Sequence, residues 1–438
     1  MKSSVWHPNT QMKEWESFDK ITKGKGVWLI DSKGNKMIDA VASMWCNVWG
    51  HSNPQLITAI TEQTKKLQHS SLFNLTNEPA EKLANTLVKI SPKMHKVFYS
   101  DNGSSAMEIA IKMALQYWKN IGNKKKTEIA TLENGYHGDT FGSMSVGYVP
   151  EFFGKFKRQL FSTIQFPVPN KYRIPNGFTV TDYQNHCLEK IENRFSKNNN
   201  IAAFVMESGA QVAGGVIIYP KGFQFKISQL CKKYDVLFVL DEIATGFGRL
   251  GSMTQYEEQK SIPDIVSYGK MLTGGYLTMA ATLANKKIYD SFLGEFNDWT
   301  HLFHGHTYTG NPIAAAVANE NLNMYKKSNL IKKIQKTSKV FDEFYEELSK
   351  MDIVGDIRYK GMLMGIELVE NKKEKTPIHP RKSINKIFFE EGKKQGIYLR
   401  TLGNIVMLVP PLAITEKELR LLLQKTIKTI QSAKPKVV

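Results

Sequence analysis

The sequence predicts an α/β protein: a large domain on a mainly parallel sheet with helices on both faces, plus a smaller α+β domain. Three observations lead to that expectation. From about residue 50 to 320, short apolar runs alternate with stretches of helical spacing, the pattern of parallel strands joined by helical crossovers. Runs such as "IAAFVME" and "VLFVLDE" are almost continuously apolar, as strands covered on both faces must be. Beyond about residue 320 the alternation stops, and a long amphipathic helix leads into a strand–helix–strand unit.

The elements follow in order. After an irregular opening, "GVWLID" and "KMIDAV" flank "SKGN", whose Gly34 and Asn35 suit the tight turn of a hairpin. Helical periodicity is clear in "PQLITAITEQTKKLQ", "EPAEKLANTLVKIS" and "SAMEIAIKMALQYWKN". Strands are expected at "KVFYS", "EIATLE", "IAAFVME", "VLFVLDE" and "DIVSYG". Further on, "NLIKKIQKTSKVFDEFYEELSKM" reads as one helix, with Leu330, Ile334, Val340 and Phe344 among its apolar positions. The strands "MLMGIELVE" and "IVMLVPP" then enclose the helix "INKIFFEEGKKQG". Three parts result: residues 1–50, a segment and hairpin joining the small domain; 51–320, the large domain; and 321–438, the carboxyl-terminal α+β domain.

Composition narrows the class. Hydrophobic residues at 42% and charged residues at 23% fit a globular chain. No run approaches the roughly 18 apolar residues of a membrane span, and "MKSSVWHPNTQMKEWE" lacks an apolar signal core. The cysteines Cys46, Cys187 and Cys231 lie far apart. They form neither a disulfide framework nor a metal-ligand spacing, so a reducing cytoplasm and no metal are expected. The net charge of +18 comes from short scattered clusters such as "NKKKTE" and "NKKEK". No nucleic-acid signature stands beside them, and solvated faces account for them.

In an open α/β sheet, ligands bind at the carboxyl ends of the strands, and four strand ends here carry unusual residues. In "YSDNGSSAMEIA", Gly103, Ser104 and Ser105 turn a strand into a helix, giving free amides, two hydroxyls and a positive helix end for an anion. Alone, the segment would read equally as a serine N-cap. In "LENGYHGDTFGS", Tyr136 and His137 lie among glycines ahead of Asp139; such an aromatic packs a turn or stacks on a flat ligand. In "VLFVLDEIATGFGRLG" an apolar run delivers Asp241 to a strand end, where its carboxylate needs a cation or hydrogen bonds. Gly246, Gly248 and Gly251 satisfy G-x-G-x-x-G, but an acidic pair intervenes and no long helix follows, so a dinucleotide site is rejected. In "DIVSYGKMLTGGY", Lys270 closes a strand about one crossover beyond Asp241. A lysine and an acid at neighbouring strand ends are often only an ion pair. Together with an anion nest and an aromatic loop, they match the needs of pyridoxal phosphate: a phosphate cradle, an acid for the ring nitrogen, a stacking face, and a lysine for its carbonyl. A partly desolvated lysine also loses its proton readily enough to serve as nucleophile and base.

"LDEIATGFGRLG", "SYGKMLTGG" and "HGHTYTGNP" together resemble the class III aminotransferases among the fold-type I pyridoxal phosphate enzymes, and the likeness covers essentially the whole chain. "WHPNTQM", "ASMWCNVWGH", "GYHGDTFGSMSVG" and "GIYLRTLGNIVMLVPPL" resemble most the members that aminate 8-amino-7-oxononanoate to 7,8-diaminononanoate in biotin biosynthesis. The resemblance implies that Gly103, Ser104 and Ser105 hold the cofactor phosphate and that Tyr136 and Ile243 cover the two ring faces. It further implies that Asp241 pairs with the ring nitrogen, that Lys270 carries the cofactor, and that Glu207 and Gln211 lie near the ring. Thr307 would reach the phosphate of a neighbouring subunit, giving a homodimer with shared sites. Arg400 would meet the substrate carboxylate, and Trp45, Met44, Asn9 and Asp139 would line the substrate pocket. Many members have Trp-Trp where this chain has Met44 and Trp45, and tyrosine where it has Asn9. The donor implied is S-adenosylmethionine or lysine, and the local texture of "MWCNVWGH" leans to the lysine-using branch. Rivals are another class III aminotransferase acting on ornithine, a diamine or an ω-amino acid; a nucleic-acid-binding protein that borrowed the fold; and a silent homologue, against which Asp241, Lys270 and Thr307 argue.

Overall fold

The computed structural model describes residues 3–437; Met1, Lys2 and Val438, at the ends of the first and last expected parts, lie outside them. Seven strands make the central sheet: β1 (Met94–Ser100), β2 (Glu128–Leu132), β3 (Ile164–Phe166), β4 (Ile201–Glu207), β5 (Leu237–Asp241), β6 (Ile265–Tyr268) and β7 (Ala280–Asn285). Their order is β1-β7-β6-β5-β4-β2-β3. The run from β6 to β3 is parallel, whereas β7 lies antiparallel to both β6 and β1. The sheet is therefore mixed, and the reason is local. The link from β6 to β7 is too short for a crossover helix, so the chain must double back. Every residue of β4 and β5 is buried, which explains why those strands read as unbroken apolar runs.

Asparagines start the helices that flank this sheet. Asn53 caps Pro54–Lys66 and Asn77 caps Glu78–Ile90, each with a proline in the first turn. Asn102 caps Gly103–Asn120, whose buried Met107, Ile109, Ala110 and Ala114 pack under the sheet with Val205 and Val239. The long helix expected after residue 329 is two: Leu330–Thr337 and Val340–Ser349. Between them the amides of Lys339 and Phe341 bond three residues back, at 3.2 and 3.1 Å. Thr337, Ser338 and β-branched Val340 are weak helix formers, so the helix tightens there although its apolar spacing continues.

Strands Val354–Lys360, Leu363–Asn371, Ile405–Leu408 and Arg400–Leu402 form an antiparallel sheet in that order. The amino-terminal hairpin forms as its turn predicts, Trp28–Asp31 against Lys36–Asp39. Lys36–Asp39 also pairs in parallel with Ile397–Tyr398, so the two ends of the chain share one sheet. No described helix is long and apolar enough to cross a membrane.

Candidate active site

Strand register assembles the site. Asp241 pairs with Glu207 on one side and with Ser267 on the other, so the ends of β4, β5 and β6 lie level, with Lys270 just beyond β6. A cavity of about 440 Å³ opens there, lined among others by Trp45, Gly103, Ser104, Tyr136, Asp139, Glu207, Asp241, Ile243 and Lys270. Nine of the residues singled out in the sequence thus meet in one place.

Lys270 sits on its floor with a left-handed backbone (φ 43°), between Gly269 and a short 3₁₀ turn. Desolvation holds its ammonium below the ordinary lysine range, against the opposing pull of Asp241 and Glu207. Its Nζ lies 5.3 Å from the ring centre of Trp45. Asp241 is buried; its Oδ1 accepts the amide of Ile243 at 2.9 Å, and its Oδ2 accepts Nδ1–H of His137 at 2.8 Å. A carboxylate has about four acceptor positions, so Asp241 retains capacity for a further donor. Glu207 is buried too, accepting the amides of Tyr136 at 3.1 Å and Val212 at 2.9 Å. Burial pushes its pKa up to about 7. The Tyr136 ring stacks on Phe153 at 6.2 Å, and burial, then Asp139, pushes its hydroxyl pKa up.

The anion cradle is built by close approach. A Cβ on Gly103 would lie 2.9 Å from Ile243 Cγ2, and one on Gly138 would collide with the Ser104 hydroxyl. The first amides of a helix lack intrahelical acceptors. Asn102 takes that of Ser105 at 3.0 Å, which leaves the amides of Gly103 and Ser104 as the donors toward the cavity. The Ser104 hydroxyl is tied to Thr140, 2.8 Å away. These residues fit a phosphate, a flat ring and a carbonyl reached by lysine.

Other expected site residues lie outside this cavity. Gln211 donates Nε2 to the Glu133 carbonyl at 2.8 Å, and its buried Oε1 has no partner among the described residues. Thr307 is exposed, with its carbonyl 2.9 Å from His69 Nε2. Met44 is exposed. Asn9 lines a separate cavity of about 590 Å³ with Trp15 and Thr401. Arg400 opens the strand Arg400–Leu402 and does not line this cavity.

Two residues here were not assigned a role from sequence. His137 holds Asp241, while its buried Nε2 has no partner among the described residues; the "GYHGD" loop drew attention to its tyrosine instead. Arg249, within the glycine run rejected as a dinucleotide motif, is fully buried and donates Nη1 to the carbonyls of Met362 and Pro410 at 3.0 and 2.7 Å. Burial lowers its pKa to about 10. The glycine run itself forms turns, followed only by the four-residue helix Gln255–Glu258, consistent with that rejection.

A strained segment walls the cavity. Ala42, Ser43 and Trp45 all have positive φ (48°, 62° and 66°), a conformation costing non-glycine residues about 1–3 kcal/mol each and common at functional sites.

Comparison with known proteins agrees with this geometry. The model of the family described as "Aminotransferase class-III" matches residues 11–430. The chain is 44% identical to adenosylmethionine-8-amino-7-oxononanoate aminotransferase of Staphylococcus aureus, over 95% of this chain and 93% of that protein. A crystal structure of the Methanocaldococcus jannaschii protein of that name superposes with a TM-score of 0.93, at 42% identity over 98% of this chain and 97% of that one. An omega transaminase from Pseudomonas jessenii in complex with PMP superposes at 0.94, with 28% identity over 99% of this chain and 97% of that one. The chain belongs to the class III aminotransferases, and pyridoxal phosphate is the cofactor its cradle fits.

Proposed function

We propose that this aminotransferase converts 8-amino-7-oxononanoate to 7,8-diaminononanoate in biotin biosynthesis, with S-adenosylmethionine as amino donor. The observation that carries the reading is the placement of Lys270 beside Asp241 and under Trp45, in a chain similar throughout to proteins named for this reaction. Pyridoxal phosphate, when bound, supplies an electron sink. The amides of Gly103 and Ser104 would hold its phosphate, Ile243 and Tyr136 its faces, and Asp241 its ring nitrogen. Lys270 Nζ, whose charged form burial disfavours, takes and returns the α-proton of the amine. His137 keeps Asp241 oriented. Trp45 and Asp139 line the cavity that would take the substrate, whereas Arg400, whose planar fork suits a carboxylate, Met44 and Asn9 lie outside it in the single chain.

In this reading the enzyme is a cytoplasmic homodimer. Thr307, exposed in one chain, completes the phosphate site of its neighbour, and the exposed aromatics Phe296, Trp299 and Phe303 mark the face that meets it.

The test is product formation. Holoenzyme given 8-amino-7-oxononanoate and S-adenosylmethionine should yield 7,8-diaminononanoate, detected by mass. Product with lysine alone would move the donor to lysine. No product with either, but turnover of ω-amino acids, would move the activity elsewhere in the class.

A further inference from the structure

We propose that Asp39, backed by His51, is a positioning residue for the substrate pocket: its carboxylate holds the turn at residues 41–45 so that Trp45 stays over Lys270. The inference rests on the function proposed above for what the pocket admits, and on geometry alone for the clamp.

Asp39 ends its strand with a fully buried side chain. Its Oδ1 accepts the amide of Val41 at 3.2 Å. Its Oδ2 accepts the amide of Ser43 at 2.7 Å, with the Ser43 hydroxyl at 3.4 Å, and meets His51 Nε2 at 3.0 Å. A buried carboxylate needs such donors. Here three of the four come from the turn itself, so the charge and the turn stabilise each other.

That turn requires an external hold. Ala42, Ser43 and Trp45 sit in left-handed backbone, and Ser43 combines φ 62° with ψ −65°. Residues with a Cβ keep such angles only where their surroundings over-determine them. Asp39 supplies that constraint, and His51 supplies the rigid backing. The amide of His51 donates to Gly26 at 2.7 Å and its carbonyl accepts from Gly26 at 3.1 Å. A Cβ on Gly24 would lie 2.6 Å from His51 Cβ, so His51 is packed directly on the strand Ile21–Lys25.

The same strand end also meets a second strand: Asp39 pairs in register with Tyr398. One buried carboxylate thus stands between the turn that carries Trp45 and the strand Ile397–Tyr398.

Cys46 gives a readout that needs no substrate. It follows Trp45 directly, is partly exposed, and has its thiol 3.7 Å from the Ala42 carbonyl, whereas Cys187 and Cys231 are buried. Holoenzyme would be treated with iodoacetamide and labelling followed by mass at each cysteine. Asp39→Asn should speed labelling of Cys46 about tenfold or more, the scale of lost hydrogen bonds to a charged acceptor, and leave Cys187 and Cys231 unlabelled. It should also raise KM for 8-amino-7-oxononanoate more than it lowers kcat. His51→Ala should shift Cys46 in the same direction by less, and His51→Gln, which keeps a donor, should return it toward wild type; this pair decides the matter if Asp39→Asn does not fold. Unchanged Cys46 labelling, or an equal rise at all three cysteines, would overturn the clamp. If wild type does not aminate 8-amino-7-oxononanoate, the function fails while Cys46 labelling still decides the clamp.

Discussion

Gly103 lies so close to Ile243 that one added methyl group becomes a test of the cradle. Its Cβ would sit 2.9 Å from Cγ2 and 3.0 Å from Cδ1 of Ile243, a side chain that also packs on Gly269. Gly103→Ala should therefore leave a folded protein but weaken cofactor binding about tenfold, the cost of a small overpacking, measured by titrating apoprotein with pyridoxal phosphate. Adding Ile243→Ala should recover part of the loss, and unchanged affinity would remove Gly103 from the cradle. Asp241 and Lys270 were legible from sequence because an ionisable residue that closes an apolar strand is out of place in a core. His137 was not, because its role depends on a partner more than a hundred residues away. Arg249 was masked for a similar reason, since its acceptors are backbone carbonyls that carry no sequence signature.

Helix Ile384–Lys394 is tied to the terminal helix Glu416–Val437 through one carboxylate. Glu391 meets Lys394 at 2.7 Å and Lys436 at 2.5 Å, and those two hydrogen bonds lower its pKa to about 2. A carboxylate depressed in the folded state stabilises the fold above its unfolded pKa, near 4.5, and that contribution is lost as pH falls toward 2. Glu391→Gln should thus lower the melting temperature at neutral pH, with the gap to wild type closing between about pH 4.5 and 2; a gap independent of pH would contradict the assignment. The helices themselves were readable from their apolar spacing, whereas their asparagine caps, Asn53, Asn77 and Asn102, emerge from the structure, the last in place of the serine cap the sequence suggests. β3, only three residues long, and β7, whose sequence "AATLAN" is rich in small residues, carry too weak a pattern. Their place comes from neighbours, as does the break at residues 338–339, where weak helix formers interrupt a spacing that reads as continuous.

Taken as one body, the chain keeps several expected site residues out of its own cavity. Thr307 is exposed, and at the surface Trp299 stacks on Phe303 with ring centres 5.9 Å apart and lies tilted to Phe296 at 6.1 Å. A sequence encodes one chain, so a site completed by a neighbouring copy leaves such residues without visible partners. The proposed dimer predicts that wild type sediments at twice the chain mass. Trp299→Glu should shift it toward monomer and lose cofactor, as the proposed shared site draws on Thr307 of a second copy; a monomeric wild type would refute the shared site. What unites these features is the assignment of Lys270 as the residue that carries the cofactor and moves the proton. The absorbance spectrum of purified wild type and of Lys270→Ala, each reconstituted with pyridoxal phosphate and then given S-adenosylmethionine or lysine, tests it. Wild type should show the band of lysine-bound cofactor and lose it to one donor. Lys270→Ala should lack that band and turn over at least about 10³-fold more slowly, within the range of a lost general base. An unchanged band and full turnover in Lys270→Ala would contradict the assignment.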